Sequence, residues 1–432
     1  MNLEKIKEAL TREDFCTYIG KVKRISGMMI EATGSKYRIG EVCAISTDTI
    51  DKVVYAEVVG FNDGRVLLMP YEDIKGIGLG NTVKSTRNKL KIPVGDFLIG
   101  RIVDAKGQPM DDGSDFQTND YCYVDNEFIN PLSRPRIDKS LSFGVKAIDG
   151  ILTIGKGQRM GIFAGSGVGK STLLGMVAKN VKADINVIAL VGERGREVRE
   201  FIEKDLGEEG LKRSVLVVAT SDQPAMLRVK CALVATTIAE YFRDTGRDVL
   251  LMMDSLTRFA MAQREIGLLT GEPPVARGYT PSIYSELPKL LERSGNFNKG
   301  SITGIYTVLV EGDDTNEPIA DTVRGIVDGH IVLTRKLANS NHFPAIDINA
   351  SVSRLMIDIV NKEHNAYVKK LRDILSLYYA NYDLISIGAY KKGTNPALDD
   401  AIGKIDKVNE FLKQDINESF TFEETFKLME EI

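Results

Sequence analysis

A glycine-rich turn that ends in Lys170 and Ser171 is the part of the sequence best suited to chemistry. Glycines let a backbone wrap closely around a polyphosphate and direct its N–H groups towards it. The Lys170 ammonium can then reach the β- and γ-phosphates, while the Ser171 hydroxyl can ligate Mg²⁺. We expect a Walker A loop whose nucleotide-binding residues are Ala164, Gly165, Ser166, Gly167, Val168, Gly169, Lys170, Ser171 and Thr172. Ala164 replaces the glycine of the strict pattern, but the Gly-Lys-Ser end is intact.

The elements that must position this loop are a strand before it and a helix after it. The apolar run Met160–Phe163 precedes the turn, and the apolar run Leu173–Ala178 follows it. A helix that begins directly after Gly169 would add its positive N-terminal end to the same phosphate site. The local pattern therefore predicts the strand, turn and helix order that phosphate-binding loops require.

Two carboxylates follow other apolar runs and could complete such a site. Asp254 comes directly after Asp248–Met253, where phosphate-loop enzymes place the acid that holds Mg²⁺. Glu193 follows Val187–Val191, and from there it could orient or deprotonate an attacking water. Spacing alone leaves alternatives open, because Asp254 could cap the next helix and Glu193 could belong to a surface cluster of ion pairs. The phosphate loop favours the metal role for Asp254.

Bulk composition places the chain among globular proteins with sizeable cores. Its 432 residues allow two or three domains, and 43% of them are hydrophobic and 27% charged. A formal net charge of −4 shows no basic excess of the kind that nucleic-acid binding requires. No apolar run approaches the roughly 20 residues that a membrane span needs, and the first residues do not resemble a signal peptide. We therefore expect a cytoplasmic protein with no transmembrane segment.

The first part of the chain predicts a short helix and then a small β-barrel. Residues 1–15 carry Leu3, Ile6 and Leu10 at helical spacing, which suits a possible amphipathic helix or a frayed terminus. Residues 16–88 contain short β-prone runs separated by glycines. One pair of runs is joined by Asp63-Gly64, a hairpin signal. So few residues favour a barrel over a sandwich.

The remainder of the chain predicts an α/β domain followed by helices. Residues 89–354 alternate apolar strands with the helical stretches Pro224–Arg243 and Ser285–Arg293, the pattern of a doubly wound parallel sheet. Residues 355–432 contain two helical stripes of apolar residues, and Thr421 with Glu424 resembles a capping box for a last helix. The fold class we expect is α/β, with an N-terminal β-barrel and a C-terminal α-helical domain.

Several motifs together resemble the catalytic subunits of rotary-type ATPases, and more closely the ATPases of flagellar and type III protein export. The resemblance covers nearly the whole chain and implies a RecA-like P-loop ATPase core between the barrel and the helical domain. It also implies hydrolysis of ATP, with Mg²⁺, to energise the export of unfolded proteins. The motifs are Gly100–Ala105, Phe163–Thr172, Gly192–Phe201, Asp254–Phe259, Glu272–Tyr279, Leu309–Asp314, Asn316–Asp321, Asp328–Leu333, Phe343–Asp347 and Ser351–Arg354.

The resemblance assigns roles to individual residues. Glu193 matches the catalytic glutamate, and Arg194 matches an arginine near the γ-phosphate. Arg354 matches the arginine finger that enters the site of a neighbouring subunit. Phe343 matches the aromatic residue that stacks on adenine, and Tyr390 would close the other side of the base. Lys170 is the fourth residue with a catalytic role, and Ser171 and Asp254 would hold the metal.

The resemblance also implies partners and a location. These are a homohexameric ring, a stator-like regulator at the N-terminal segment, a central stalk coiled coil, an export gate and chaperone–cargo complexes. The ring would lie in the cytoplasm, peripheral to the inner face of the cytoplasmic membrane, without nucleic acid. Three alternatives remain at this point: the catalytic subunit of a proton-translocating rotary ATP synthase, an RNA-translocating ring ATPase, and a regulatory nucleotide-binding module. A flagellar apparatus is favoured over an injectisome.

Overall fold

The computed structural model describes residues 17–48, 52–125, 130–310 and 317–432. The helix predicted for residues 1–15 lies outside these ranges. The described residues up to Lys91, together with Ile266–Glu272, form one compact unit. Ile92–Glu265 and Pro273–Ile432 contribute the described residues of the second unit.

The first unit contains a closed antiparallel barrel, as the sequence predicts. Its strand order is β1-β2-β5-β4-β3-β6. Asp63 and Gly64 join β4 to β5 with φ values of 46° and 73°, the left-handed geometry of a tight hairpin turn. Alternate side chains such as Ile30, Ile45 and Val83 fill the barrel's own core. The strands are β1 Ile19–Ser26, β2 Met29–Ala32, β3 Glu41–Ser46, β4 Val53–Asn62, β5 Arg65–Pro70 and β6 Thr82–Lys89.

The second unit is built on a largely parallel sheet with the order β19-β18-β12-β17-β15-β13-β14-β8, to which β16 adds by pairing with β17. The central strands are buried on both faces, which explains their continuous apolar runs. The short pairs β7-β9 and β10-β11 lie outside this sheet. The strands are β7 Lys91–Pro93, β8 Ile102–Asp104, β9 Tyr121–Tyr123, β10 Ser140–Leu141, β11 Ile154–Gly155, β12 Arg159–Ala164, β13 Ile185–Glu193, β14 Ser214–Thr220, β15 Asp248–Asp254, β16 Gly295–Asn296, β17 Ser301–Leu309, β18 Gly329–Leu333 and β19 Val352–Ser353.

Helices connect the strands of this sheet and form the C-terminal part of the chain. None of the helices in the described ranges is long and apolar enough to cross a bilayer. The α-helices are Lys146–Ile151, Lys170–Asn180, Gly195–Glu200, Gly207–Leu211, Ala225–Asp244, Leu256–Leu269, Pro281–Leu291, Pro318–Ile326, Arg335–Asn339, Met356–Ile359, Lys362–Ala380, Tyr382–Ser386, Pro396–Leu412 and Phe422–Glu430, and Phe201–Leu206 is a π-helix.

The C-terminal helices share one hydrophobic core with the sheet. Leu371, Ile405 and Val408 belong to the same buried cluster as Ile162 on β12. The predicted capping box is present, because the Glu424 N–H donates to Thr421 Oγ1 over 3.2 Å and the Thr421 N–H donates to Glu424 Oε2 over 2.8 Å. The helical region and the sheet are therefore parts of one packed unit.

Candidate active site

The turn after β12 has the geometry that a phosphate loop requires. Gly167 and Gly169 adopt φ values of 78° and 87°, where a side chain would be strained. The helix begins at Lys170, and the Leu173 N–H donates to the Gly169 carbonyl over 3.0 Å. Ser171 is exposed in the first turn of this helix. The N–H groups of that turn therefore remain available to an anion.

Three charged side chains meet beside the loop. Lys170 Nζ lies 2.5 Å from Asp254 Oδ1 and 3.8 Å from Glu193 Oε1. Asp254 and Glu193 lie at the carboxyl ends of the adjacent parallel strands β15 and β13. Ligands of open α/β sheets bind at this edge. The structure thus brings together the lysine and both acids that the sequence predicts for this site.

Asp254 is held in place by a neighbour that the sequence analysis missed. Thr307, on the adjacent strand β17, donates its hydroxyl to Asp254 Oδ1 over 2.7 Å. Asp254 is 5% exposed, and the peptide bond that joins it to Ser255 is cis. With Lys170 on the same oxygen, the carboxylate has a fixed orientation. A threonine inside a β-prone run gives no signal of this role, because the pairing of the strands decides it.

Glu193 is an acid whose pKa is strongly raised by its surroundings. It is 7% exposed, and its Oε1 has no hydrogen-bond partner among the described residues. Burial, and next the negative charge of Asp254, raise the pKa of Glu193 to about 7, while Lys170 and Arg258 act in the opposite direction. A carboxyl group that exchanges its proton near neutral pH is suited to general-base catalysis.

Two arginines that follow this acid in the sequence, Arg194 and Arg258, occupy different surroundings. Arg194 is largely exposed and lies 3.4 Å from Glu197. Arg258 is a residue to which the sequence analysis gave no role. Its Nε is buried without a hydrogen-bond partner in the described ranges, and its charge acts on Glu193. Its side chain packs against Gly192, where an added Cβ would lie 3.1 Å from that of Arg258.

Phe343 reaches the phosphate loop from a distant part of the chain, whereas Tyr390 makes its contacts elsewhere. The Phe343 ring is 41% exposed, and it would lie 3.6 Å from a Cβ placed on Gly169. An exposed ring beside the loop is available for stacking on a base. The Tyr390 hydroxyl donates to the Asn395 carbonyl and to Asp399 Oδ1, each over 3.0 Å. No contact among the described residues joins Tyr390 to the loop.

Arg354 is not brought to this site. It follows β19, and its N–H donates to the carbonyl of Asp328 over 3.0 Å, at the start of β18. Asp328 pairs with Arg159, which lies five residues before Ala164 on β12, or about 17 Å of strand. The exposed Arg354 side chain donates to the carbonyl of Arg324 over 3.1 Å. Arg354 therefore lies at the opposite edge of the sheet from the phosphate loop.

Comparison with protein-family models identifies three parts of the chain. Residues 22–87 match the β-barrel domain of the ATP synthase alpha/beta family, and residues 144–353 match its nucleotide-binding domain. Residues 360–431 match the T3SS EscN ATPase C-terminal domain. The site described above lies within the nucleotide-binding match.

Known relatives extend over nearly the whole chain. The flagellum-specific ATP synthase of Bacillus subtilis is 53% identical over 98% of this chain and 97% of its own length. The type 3 secretion system ATPase of Xanthomonas euvesicatoria is 47% identical over 95% of this chain and 93% of its own. The solved structure of the assembled ATPase EscN from enteropathogenic E. coli is 47% identical, with a TM-score of 0.91 over 95% of this chain and 99% of EscN.

These matches confirm the fold class, the family resemblance and the ATPase activity that the sequence predicts, with a nucleotide as substrate. The chain belongs to the ATP synthase alpha/beta family, in the branch of the flagellar and type III secretion ATPases.

Proposed function

We propose that this ATPase forms a homohexameric ring that hydrolyses MgATP and energises the export of unfolded proteins through a flagellar apparatus. The observation that carries the proposal is the separation of Lys170, Asp254 and Glu193 from Arg354 across the sheet. A chain that keeps its base and its arginine finger on opposite edges needs a second copy to complete one site. Relatives named as flagellum-specific ATP synthases support the flagellar assignment.

Each residue of the site would have a separate role in ATP hydrolysis. The N–H groups of the loop and Lys170 would bind the β- and γ-phosphates, with Lys170 released from Asp254 as phosphate oxygens replace the carboxylate. Glu193 would orient the attacking water and accept its proton, and Arg194 or the missed Arg258 would bind the γ-phosphate oxygens from that side. Arg354 of the neighbouring copy would stabilise the charge of the transition state. Phe343 would stack on the base, and Tyr390 stays a prediction for the other side of the base.

A magnesium ion fits the oxygen atoms present. Mg²⁺ prefers carboxylate and hydroxyl ligands and keeps several waters, so few protein ligands suffice. Asp254 supplies a buried carboxylate, and Ser171 supplies an exposed hydroxyl at the start of the helix. The buried, unpartnered Oε1 of Glu193 could accept a hydrogen bond from a water of that ion. The ion would neutralise the charge that develops on the β- and γ-phosphate oxygens.

Partners follow from the relatives rather than from contacts of this chain. Solved structures describe EscN as assembled, alone and in complex with its central stalk EscO. We infer a ring with a stalk-like coiled coil here as well. Its location would be the cytoplasm, against the inner face of the membrane, close to the export gate and chaperone–cargo complexes. A stator-like regulator would bind residues 1–15, through Leu3, Ile6 and Leu10.

Mixing two inactive variants tests whether sites are shared between copies. Arg354→Ala should bind ATP normally and lose turnover by about 10³-fold or more, the range for arginine fingers. Glu193→Gln should bind ATP and fail to hydrolyse it. In a mixed ring, the intact Glu193 of one copy meets the intact Arg354 of the other, so ATPase activity should return at that interface.

Phosphate release at equal total protein is the readout, and Arg24→Ala is the control for loss of an exposed arginine. Activity of the mixture no higher than the sum of the two variants would contradict the shared site. Activity per chain that does not change between dilute monomers and concentrated protein would contradict it independently. Export of an unfolded cargo by cells that carry each variant tests the coupling to transport.

A further inference from the structure

Asp328 fixes the backbone that carries Arg354. Its carboxylate accepts from Arg159 through Nε and Nη2, each over 3.0 Å, and from the Arg159 N–H over 3.1 Å. Its N–H donates to the Arg159 carbonyl over 2.9 Å, and its own carbonyl accepts the N–H of Arg354 over 3.0 Å. Asp328 therefore joins Arg354 to the first residue of β12.

Neighbouring side chains fix the same segment. Gln158, which is fully buried, donates from Nε2 to the Asp328 carbonyl over 3.2 Å and to Ser353 Oγ over 3.1 Å. Ser353 in turn donates to the Thr153 carbonyl over 2.8 Å. The residue before Arg354 is thus tied to the chain that leads into β12, and little freedom remains in the backbone of Arg354.

We propose that Asp328 is a positioning residue, which holds Arg354 at the distance that the neighbouring copy's site requires. The proposal rests on the proposed role of Arg354 as a finger in trans. Its physical basis is the two-point ion pair with Arg159, in which the side chains are only 24% and 16% exposed. Paired charges with parallel hydrogen bonds fix direction as well as distance. A finger on a mobile backbone would lose most of its effect, because a displacement of 1 Å can cost about 10²-fold in rate.

The position of the Arg159–Asp328 ion pair on β12 links the chain's own phosphate loop to Arg354. Arg159 begins β12, and Ala164 at the other end of the same strand begins the phosphate loop. β12 is hydrogen-bonded on both sides, to β17 and to β18. Strand β12 therefore leads into the phosphate loop of the chain's own site at one end. At its other end it carries Arg159, the ion-pair partner of the residue that positions Arg354. A defect at Asp328 should appear in the neighbour's turnover, not in the chain's own nucleotide binding.

The test compares Asp328→Asn and Asp328→Ala with a matched control. Glu292→Gln removes another carboxylate partner of Arg159 but leaves the ion pair between Arg159 and Asp328, the residue whose backbone carbonyl accepts the Arg354 N–H, unchanged. We expect kcat to fall by roughly 10²-fold for Asp328→Ala and by about tenfold for Asp328→Asn, with KM for ATP within about twofold. Glu292→Gln should keep wild-type kcat, because the Glu292 side chain is 55% exposed and Arg159 keeps its two-point pair with Asp328. Equal losses in Glu292→Gln and Asp328→Asn would overturn the proposal.

Mixing experiments separate positioning from a damaged fold. An Asp328→Asn copy has its own Glu193 and needs only a good finger, so mixing it with Glu193→Gln copies should raise its activity. In the Arg354→Ala background, Asp328→Asn should cause no further loss, since both changes act through one group. No rescue of Asp328→Asn under conditions where Arg354→Ala is rescued would refute the positioning role alone. Failure of the Arg354→Ala mixture would instead refute the shared site on which it rests.

Discussion

Replacing Glu193 by glutamine should stabilise the nucleotide-free protein, and more so as the pH rises. The folded state holds the proton of Glu193 with a pKa of about 7, because the carboxyl group is buried and lies close to Asp254. The unfolded chain releases the same proton near its ordinary pKa of 4.5. Between these two values the folded state binds more protons, so its free energy of unfolding falls as pH rises. Glutamine does not titrate in this range, so the free energy of unfolding of the variant does not fall for this reason.

The size of the effect follows from the two pKa values. A difference of about 2.5 pKa units corresponds to roughly 3 kcal/mol when the pH is well above 7. Part of this loss has already occurred at pH 6, so the advantage of the variant should grow by about 1 kcal/mol between pH 6 and pH 8.5. For a unit of this size that growth is a shift of about 2 °C in the midpoint of thermal unfolding.

Thermal unfolding of dilute protein without nucleotide, at several pH values, measures this directly. The informative quantity is the difference between Glu193→Gln and the wild type at each pH, because titrating groups that do not interact with Glu193 cancel. Glu286→Gln removes a partly exposed carboxylate that pairs with Lys289 and is the control. A difference that stays constant from pH 6 to pH 8.5, or shrinks, would show that Glu193 is not held protonated by its surroundings. Glu193 would then not be a base that exchanges its proton near neutral pH.

Three other substitutions give distinct outcomes. Phe343→Ala should raise KM for ATP about tenfold, because base stacking contributes roughly 1–3 kcal/mol, and should leave KM for tripolyphosphate unchanged; equal effects on both substrates would contradict stacking. Thr307→Val should lower the free energy of unfolding by about 1 kcal/mol in denaturant titrations, through the lost bond to Asp254; an unchanged value would show that the bond contributes nothing. Thr421→Ala should speed amide exchange in Phe422–Glu430 through loss of about 1 kcal/mol of capping, and unchanged exchange there would refute the cap.

Local patterns predicted much of the fold, because their causes lie within a few residues. The hairpin at Asp63-Gly64, the capping box at Thr421 and the glycine turn before Lys170 all depend on neighbours in the sequence. The parallel sheet followed from apolar runs that are buried on both faces. Helix bounds were less accurate: the stretch predicted from Ser285 to Arg293 is the helix Pro281–Leu291. Pro281 occupies the first position of this helix, where proline is favoured, and the sequence prediction did not use that signal.

The contacts within the site depended on strand order, which no local pattern gives. Thr307 meets Asp254 only because β17 pairs with β15, and Arg258 acts on Glu193 only because the turn at Gly192 approaches it. The family resemblance predicted the role of Arg354 as an arginine finger but not its position in the fold. Its distance from Lys170 follows from the antiparallel pairing of β19 with β18, which turns the chain back to the start of β12.

The closed β-barrel formed by β1–β6 limits how copies of this protein can contact one another through these strands. Each of the six strands β1–β6 has a hydrogen-bonded partner on both sides, so these described strands present no open edge to a neighbour. A contact made by these strands must therefore use their side chains, among which Ile19, Tyr55 and Phe61 are exposed. Single substitutions of such side chains can strengthen or weaken these contacts without disrupting the hydrogen bonds of the barrel.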